Sequence, residues 1–363
     1  MKEQRMQFDT VLSVAAQLLD SIDPQLRRDE LREHLTDTRA VRTVPNHVDS
    51  TEPALVCVDG AVAHDQTDAL VWIAAVGVNS TSTVHVPATM VLPVSPSVER
   101  ARSMLMALCE LAAALQTVDT NHVAWVDGSL ATPLISIATG LLVTDPVIAE
   151  IVCATLADCG ADDLVADYVH FALQGRLRAL PKQDTASGFC QMWAQQIGEA
   201  GDWLATQSDR ITATGVLEPG EYLGPRPAVE ALRVAAKTSA DAPRAVRAWA
   251  QTIDDILEHW RQELHAYVTY VLPASAPMRA VKIEYTLPAE TPSLDAAADD
   301  LAAVLAARAG ETMIGTRVLE PLPQHQADSL AKRDVTALIT QLVGAASTAF
   351  RDTHPAAVRH YRT

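Results

Sequence analysis

The sequence predicts an α/β protein in which a mixed sheet is flanked by helices. Three observations carry this expectation. Two apolar runs, ALVCVDG at 54–60 and VAWVDGSL at 123–130, show no polar alternation and read as strands covered on both faces. Two further runs rich in β-formers, at 69–78 and 83–94, follow the first across short polar links at 64–68 and 79–82, the pattern of an antiparallel meander. Segments of helical period lie between and beyond these strands, at 97–116, 146–174 and 228–268 and from 323 onward.

Composition narrows the class. The chain has 363 residues, 48% of them hydrophobic and 20% charged, enough apolar material for a large core. No continuous apolar run reaches the roughly 18 residues of a membrane span. The start, MKEQRMQFDTVLSVAAQLLD, mixes acids with bases and does not look like a secretory signal, so a cytoplasmic protein is expected. Cys57, Cys109, Cys153, Cys159 and Cys190 are odd in number and lack CxxC spacing, which points to buried, reduced thiols. A formal charge of −17 argues against binding nucleic acid through overall charge, and leaves room for a local basic channel.

Residues 4–35 read as one or two helices with an apolar stripe at Leu12, Val14, Ala15, Leu18 and Leu19, ahead of Arg27, Arg28 and Arg32. Such a helix suits packing on a neighbour or a second subunit. Residues 36–53 look like a polar connector. The division expected is therefore an N-terminal helical segment and linker over 1–50, a main domain over 51–350, and a tail over 351–363.

Within the main domain, Ser95 and Pro96 suit a helix start, since Ser caps and Pro is tolerated at the first helical position. The stretch 130–142 is a mixed segment that lines a site or continues as helix. RLRALPK at 176–182 reads as a short strand ending in lysine, and QDTASGF at 183–189 as a helix start. Gly201, Gly215, Gly220 and Gly224 mark 199–226 as surface loops. MRAVKIEYTL at 278–287 is a strand, 289–310 a helix, 315–320 a short strand, and the final long helix begins near Pro323.

The chemistry lies in carboxylates. Asp59 and Asp127 end the two apolar strands. If those strands are parallel neighbours, both acids face one crevice at the carboxyl edge of the sheet, where open α/β sheets bind ligands. Two carboxylates held close repel unless a cation or proton joins them, and a divalent metal is the simplest resolution. Asp-Gly after a strand is equally a common turn, because glycine accepts the positive φ of tight hairpins. Glu110 sits in the apolar stretch Leu108, Cys109, Leu111, Ala112, so it either reaches the surface or meets a cation.

The order of three strands, helix and fourth strand, with Asp59 on the first, Glu110 in the helix, Asp127 on the fourth and Asp328 in a late helix, resembles the ribonuclease H fold. That resemblance implies a ribonuclease H-like sheet with extra N-terminal and inserted helices, its first and fourth strands adjacent and parallel. Within this fold the details resemble the NurA nucleases. The motifs are VDGAVA at 58–63, a glutamate 17 residues before the second aspartate, VDGSL at 126–130, LPKQDTASGF at 180–189 and VKIEY at 281–285. The late motif departs from the pattern, with Glu320 where members have tyrosine and Asp328 where they have histidine, and His325 one turn away.

The resemblance implies a metal-dependent deoxyribonuclease that works on DNA ends with a HerA-type hexameric ATPase, as a homodimer, in repair or phage defence. The chain has no GxxxxGK[ST] loop of its own, so the ATPase would be another chain. Asp59, Glu110, Asp127 and Asp328 would hold two Mn²⁺ or Mg²⁺ ions, hard cations that prefer carboxylate oxygen. Lys182 would meet the scissile phosphate or the transition-state charge, with a surface lysine at a strand end as the equal alternative. Arg176, Arg178, Lys332 and Arg333 are candidates for a DNA channel, although such residues are individually more often a solvated face. Lys282 and Glu284 would orient DNA or the site, but the alternation in VKIEYT fits an ordinary half-exposed strand better. The competing readings are a nuclease-like adaptor of the ATPase that has lost catalysis, and a related enzyme acting on RNA or a structured junction.

Overall fold

The computed structural model describes residues 24–45, 55–119, 123–182, 186–228, 234–274, 279–287, 293–308 and 321–354. The part of the expected helices over 4–35 that precedes residue 24, the short strand at 315–320 with Glu320, and most of the C-terminal tail lie outside these residues.

Among the described residues nine strands form one mixed sheet, ordered β1-β7-β8-β9-β6-β5-β2-β3-β4. They are β1 (Val41–Thr43), β2 (Val56–Gln66), β3 (Leu70–Asn79), β4 (His85–Pro93), β5 (Ala124–Asp127), β6 (Leu177–Leu180), β7 (Glu221–Pro227), β8 (Ala266–Leu272) and β9 (Val281–Thr286). The expected meander is present as the antiparallel pairs β2–β3 and β3–β4. β2 and β5 are parallel neighbours, with Val58 opposite Val126, and β5 and β6 are parallel in turn. This is the adjacency that the ribonuclease H resemblance implies for the first and fourth strands.

Helices cover both faces. On one face lie α2 (Val98–Asp119), α3 (Thr132–Gly140), α4 (Pro146–Asp158), α5 (Ala161–Leu173), α6 (Gly188–Ile197), α7 (Asp209–Val216) and α8 (Arg244–Glu263), sharing a core with Val58, Ile73 and Ala75 of the sheet and with Leu31 and Leu35 of α1 (Pro24–Asp37). On the other lie α9 (Leu294–Arg308) over Cys57, Trp125, Leu180 and Tyr285, and α10 (Leu322–Phe350) over Ala74, Val76 and Val78. Alternation along each strand decides which residues meet which layer. The pre-helical turn at 95–97 has the Ser97 amide donating to Ser95 Oγ, with the helix proper starting at Val98. By length and composition α2 passes for a membrane span, but it is mostly buried inside the fold, as a core helix is.

Several expectations change. β2 does not stop at Gly60 but runs on to Gln66, so the first Asp-Gly is mid-strand and not a turn. The second is a turn, with Gly128 at φ +89°. The connector at 36–53 contributes β1, which pairs with β7, and α1 packs on its own chain through an Arg32–Glu221 ion pair of 2.8 Å. The segment 199–226 is not loop: it forms a 3₁₀ turn, α7 and β7, whose Tyr222 and Leu223 are buried. The helical stretch 228–268 ends at Glu263 and gives way to β8, a buried strand that the continuing helical period had masked. β9 is not half-exposed, since Lys282 and Glu284 are buried with Ile283 and Tyr285.

Candidate active site

The parallel pairing of β2 with β5 ends at Val58 and Val126, one residue before each aspartate. Beyond that level β2 stays paired only with β3, and the chain after Asp127 turns away at Gly128. Asp59 and Asp127 therefore stand side by side where the two strands part. Alternation places both on the face covered by α10, since Cys57 and Trp125, two residues back, belong to that layer.

Asp328 of α10 comes down on the same point. The three carboxylates converge on Lys182, two residues past the end of β6: its Nζ lies 2.7 Å from Asp127 Oδ2, 3.6 Å from Asp328 Oδ1 and 3.7 Å from Asp59 Oδ2. The backbone of this lysine is itself held, because Arg210 of α7 donates to the carbonyls of Pro181 and Lys182. Asp328 also accepts from Lys332 at 2.7 Å, one turn along the helix. His325 instead lies against Ser329, 3.4 Å away.

Gln324, buried and one turn before Asp328, donates from Nε2 to Asp127 Oδ1 and to the Leu180 carbonyl, both at 2.8 Å. Neither Gln324 nor Arg210 stood out in the sequence. The i, i+4 spacing of Gln324 and Asp328 is the one signal that could have found the former.

Glu110 approaches from the other face. It is buried on α2 above Gly60, where a Cβ added to the glycine would lie 3.2 Å from Glu110 Cβ. Its Oε1 has no hydrogen-bond partner among the described residues. Burial first, then the charges of Asp59 and Asp127, hold its carboxyl well above the ordinary range.

On this same helical face Glu284 accepts from the Leu130 amide at 3.1 Å and pairs with Lys282 at 2.9 Å, while Tyr168 donates to the Leu130 carbonyl at 3.0 Å. These bonds brace the loop that follows Asp127. Glu284 thus reaches the backbone of that loop, and Lys282 reaches it only through Glu284.

The electrostatics are those of crowded acids. Burial and then the Asp127 charge push Asp59 up to about 8, against the pull of Lys182. Burial alone would also raise Asp328, but the hydrogen bond from Lys332 and the charge of Lys182 outweigh it and hold this acid below its usual value. Among the described residues no three His, Cys, Asp or Glu side chains close into a ready-made metal cage; the acids close on the Lys182 ammonium instead. The donor set nonetheless fits a hard divalent cation: all carboxylate oxygens, one of them buried and unpartnered, with Asp59 raised by burial and by the neighbouring Asp127 charge.

The four candidate channel residues separate. Lys332 adjoins the site, and Arg333 pairs with its neighbour Asp334 at 2.8 Å. Arg178 stacks on Trp125, 5.1 Å from the ring centre, on the face of Asp127 and one pleat repeat back. Arg176 lies at the opposite edge of the strands, roughly 13 Å along β6 from Leu180. There it donates to the Val118 carbonyl and sits over Phe171, so the structure does not bring it to the carboxylates.

No protein-family model matches the chain, and no curated protein does. Solved structures do. The NurA nuclease from Sulfolobus solfataricus is 12% identical, with a TM-score of 0.57 over 96% of this chain and 98% of that one. A structure of NurA bound to dAMP and manganese is 10% identical, with a TM-score of 0.53 over 97% and 99%. At such identities the likeness is one of fold, and it spans both chains almost end to end: this protein has a NurA-like fold.

Proposed function

We propose that the chain is a metal-dependent deoxyribonuclease. The observation that carries this reading is the convergence of Asp59, Asp127 and Asp328 on Lys182 at the carboxyl edge of two parallel strands, within a fold like that of a NurA crystallised with dAMP and manganese. Asp59, Asp127, Asp328 and Glu110 would hold one or two Mn²⁺ or Mg²⁺ ions. When bound, such a cation supplies an activated water and relief of charge on the departing oxygen in phosphodiester hydrolysis. Asp59, raised by burial and by the Asp127 charge, is the acid whose proton a bound divalent cation would displace. Lys182, whose side chain is 31% exposed, offers its ammonium to the charge that develops on phosphate. Lys332 and Arg178 extend the positive charge along the same face and suit the DNA backbone.

By the same resemblance the protein acts on DNA ends beside a HerA-type hexameric ATPase, as a homodimer, in repair or phage defence. Cleavage of end-labelled linear DNA with Mn²⁺, Mg²⁺ or EDTA, alone and with the cognate ATPase, tests the reading. Metal-dependent cutting lost in Asp59→Ala and Asp127→Ala, with folding intact, supports it. A second reading, an adaptor of the ATPase without catalysis, draws on one observation: Lys182 already fills the centre of the acid cluster. Under that reading Mn²⁺ titration shows no uptake, and no substrate is cut even with the ATPase present.

A further inference from the structure

Gln324 lies within the late motif between Glu320 and Asp328, at a position to which the sequence assigned no role. It is 3% exposed, and its single NH₂ group spends both hydrogens on the site, one on Asp127 Oδ1 and one on the carbonyl that ends β6. Both partners are acceptors, which settles the orientation of the amide. Asp127 is left with one oxygen, Oδ2, facing the point where Lys182, Asp59 and Asp328 meet.

We propose that Gln324 is a positioning residue that makes Asp127 a one-oxygen ligand and thereby sets which divalent cation the site accepts. This rests on the reading that the carboxylate cluster binds a divalent cation. A carboxylate whose second oxygen is held by a buried amide does not rotate to grip an ion with both oxygens. Small octahedral cations are served by single oxygens at fixed directions, whereas Ca²⁺ takes six to eight oxygens and commonly uses both from one carboxylate. Gln324 also ties α10, and with it Asp328, to the end of β6 from which Lys182 projects, so one side chain sets the register of three members of the cluster.

The test uses the full chain and Gln324→Met, which keeps length and apolar volume but has no donor. Mn²⁺ and Ca²⁺ binding are measured by calorimetric titration, with the unfolding midpoint in EDTA as a control of fold. Loss of an outer-shell partner typically costs about tenfold in metal affinity. The expected result is Mn²⁺ binding weakened by about that factor, with Ca²⁺ unchanged or tighter, so that the preference for Mn²⁺ falls. Gln324→Leu, which likewise has no donor and adds no charge, is expected to show the same fall and serves if the methionine variant does not fold. An unchanged Mn²⁺ to Ca²⁺ ratio, or equal weakening of both ions, overturns the inference while leaving the nuclease reading intact. If the unsubstituted chain takes up no Mn²⁺, both fall together.

Discussion

Gly60 and Gly77 face each other across the antiparallel pair β2–β3, and together they form the notch into which α2 settles. A Cβ at Gly77 would stand 2.1 Å from the Cys109 carbonyl oxygen, and one at Gly60 would stand 3.2 Å from Glu110 Cβ and from Met106 Cγ. Neither glycine has a positive φ, so their role is closeness of approach and not turn geometry. The helix can lie on the sheet at the level of Asp59 only because two side chains are missing there, and Glu110 reaches the site for that reason.

The two glycines should therefore differ in cost when replaced. Gly77→Ala meets backbone, which cannot yield locally, and is expected to destabilise by about 3 kcal/mol or more; Gly60→Ala meets a flexible methionine and is expected to cost about 1 kcal/mol. Urea denaturation of both variants checks the order. Equal costs would show that α2 is free to shift.

Asp59 predicts a pH dependence of stability in metal-free protein. Its folded value of about 8 lies above that of an ordinary carboxyl. The folded chain thus keeps a proton that the unfolded chain gives up near pH 4, and stability falls as pH rises from about 4 to about 8. Asp59→Asn, which mimics the protonated acid, should raise the unfolding midpoint at pH 8 by roughly 2–5 °C and leave it nearly unchanged at pH 4. Thermal unfolding in EDTA across this range is the check, and a variant less stable at pH 8 would count against a proton on Asp59.

Lys182 is the cation that the acids now share. Lys182→Met should destabilise the metal-free protein by about 1–2 kcal/mol, short of the full cost of breaking a buried pair because the lysine is partly exposed. Added Mn²⁺ should then raise the unfolding midpoint of the variant more than that of the parent, since it replaces a missing charge. DNA cleavage at saturating Mn²⁺ should still fall by about 100-fold through loss of the ammonium facing the phosphate. Parallel melting curves and rates separate the two effects; a variant as active as its parent would remove Lys182 from the chemistry.

The legible parts of the site were those carried by local pattern. Asp59 and Asp127 could be singled out because each ends a run with no polar residue, and Glu110 because an acid amid Leu108, Cys109 and Leu111 asks for an explanation. The same local reading misplaced the end of β2, because an Asp-Gly pair carries the same sequence signal in a turn and in a strand that makes room for a helix. It missed β7 among glycines and β8 behind a helical period, since both owe their strand state to neighbours in the sheet. Gln324 and Arg210 were invisible because a glutamine or an arginine acquires its role only from the atoms it reaches.

By itself the sequence determined the kind of chemistry open to this protein: an α/β sheet, carboxylates in a set order, and hard-oxygen donors with a lysine in place of thiols or imidazoles. Only the tertiary structure decided that Asp59, Asp127 and Asp328 close on Lys182 while Glu110 enters from the opposite face and Arg176 stays at the far edge. The reason is physical. Strand alternation assigns each residue a face, but which faces and ends meet depends on the parallel register of β2 with β5 and on the seating of α10 across the sheet, contacts between segments far apart in the chain that no local pattern encodes.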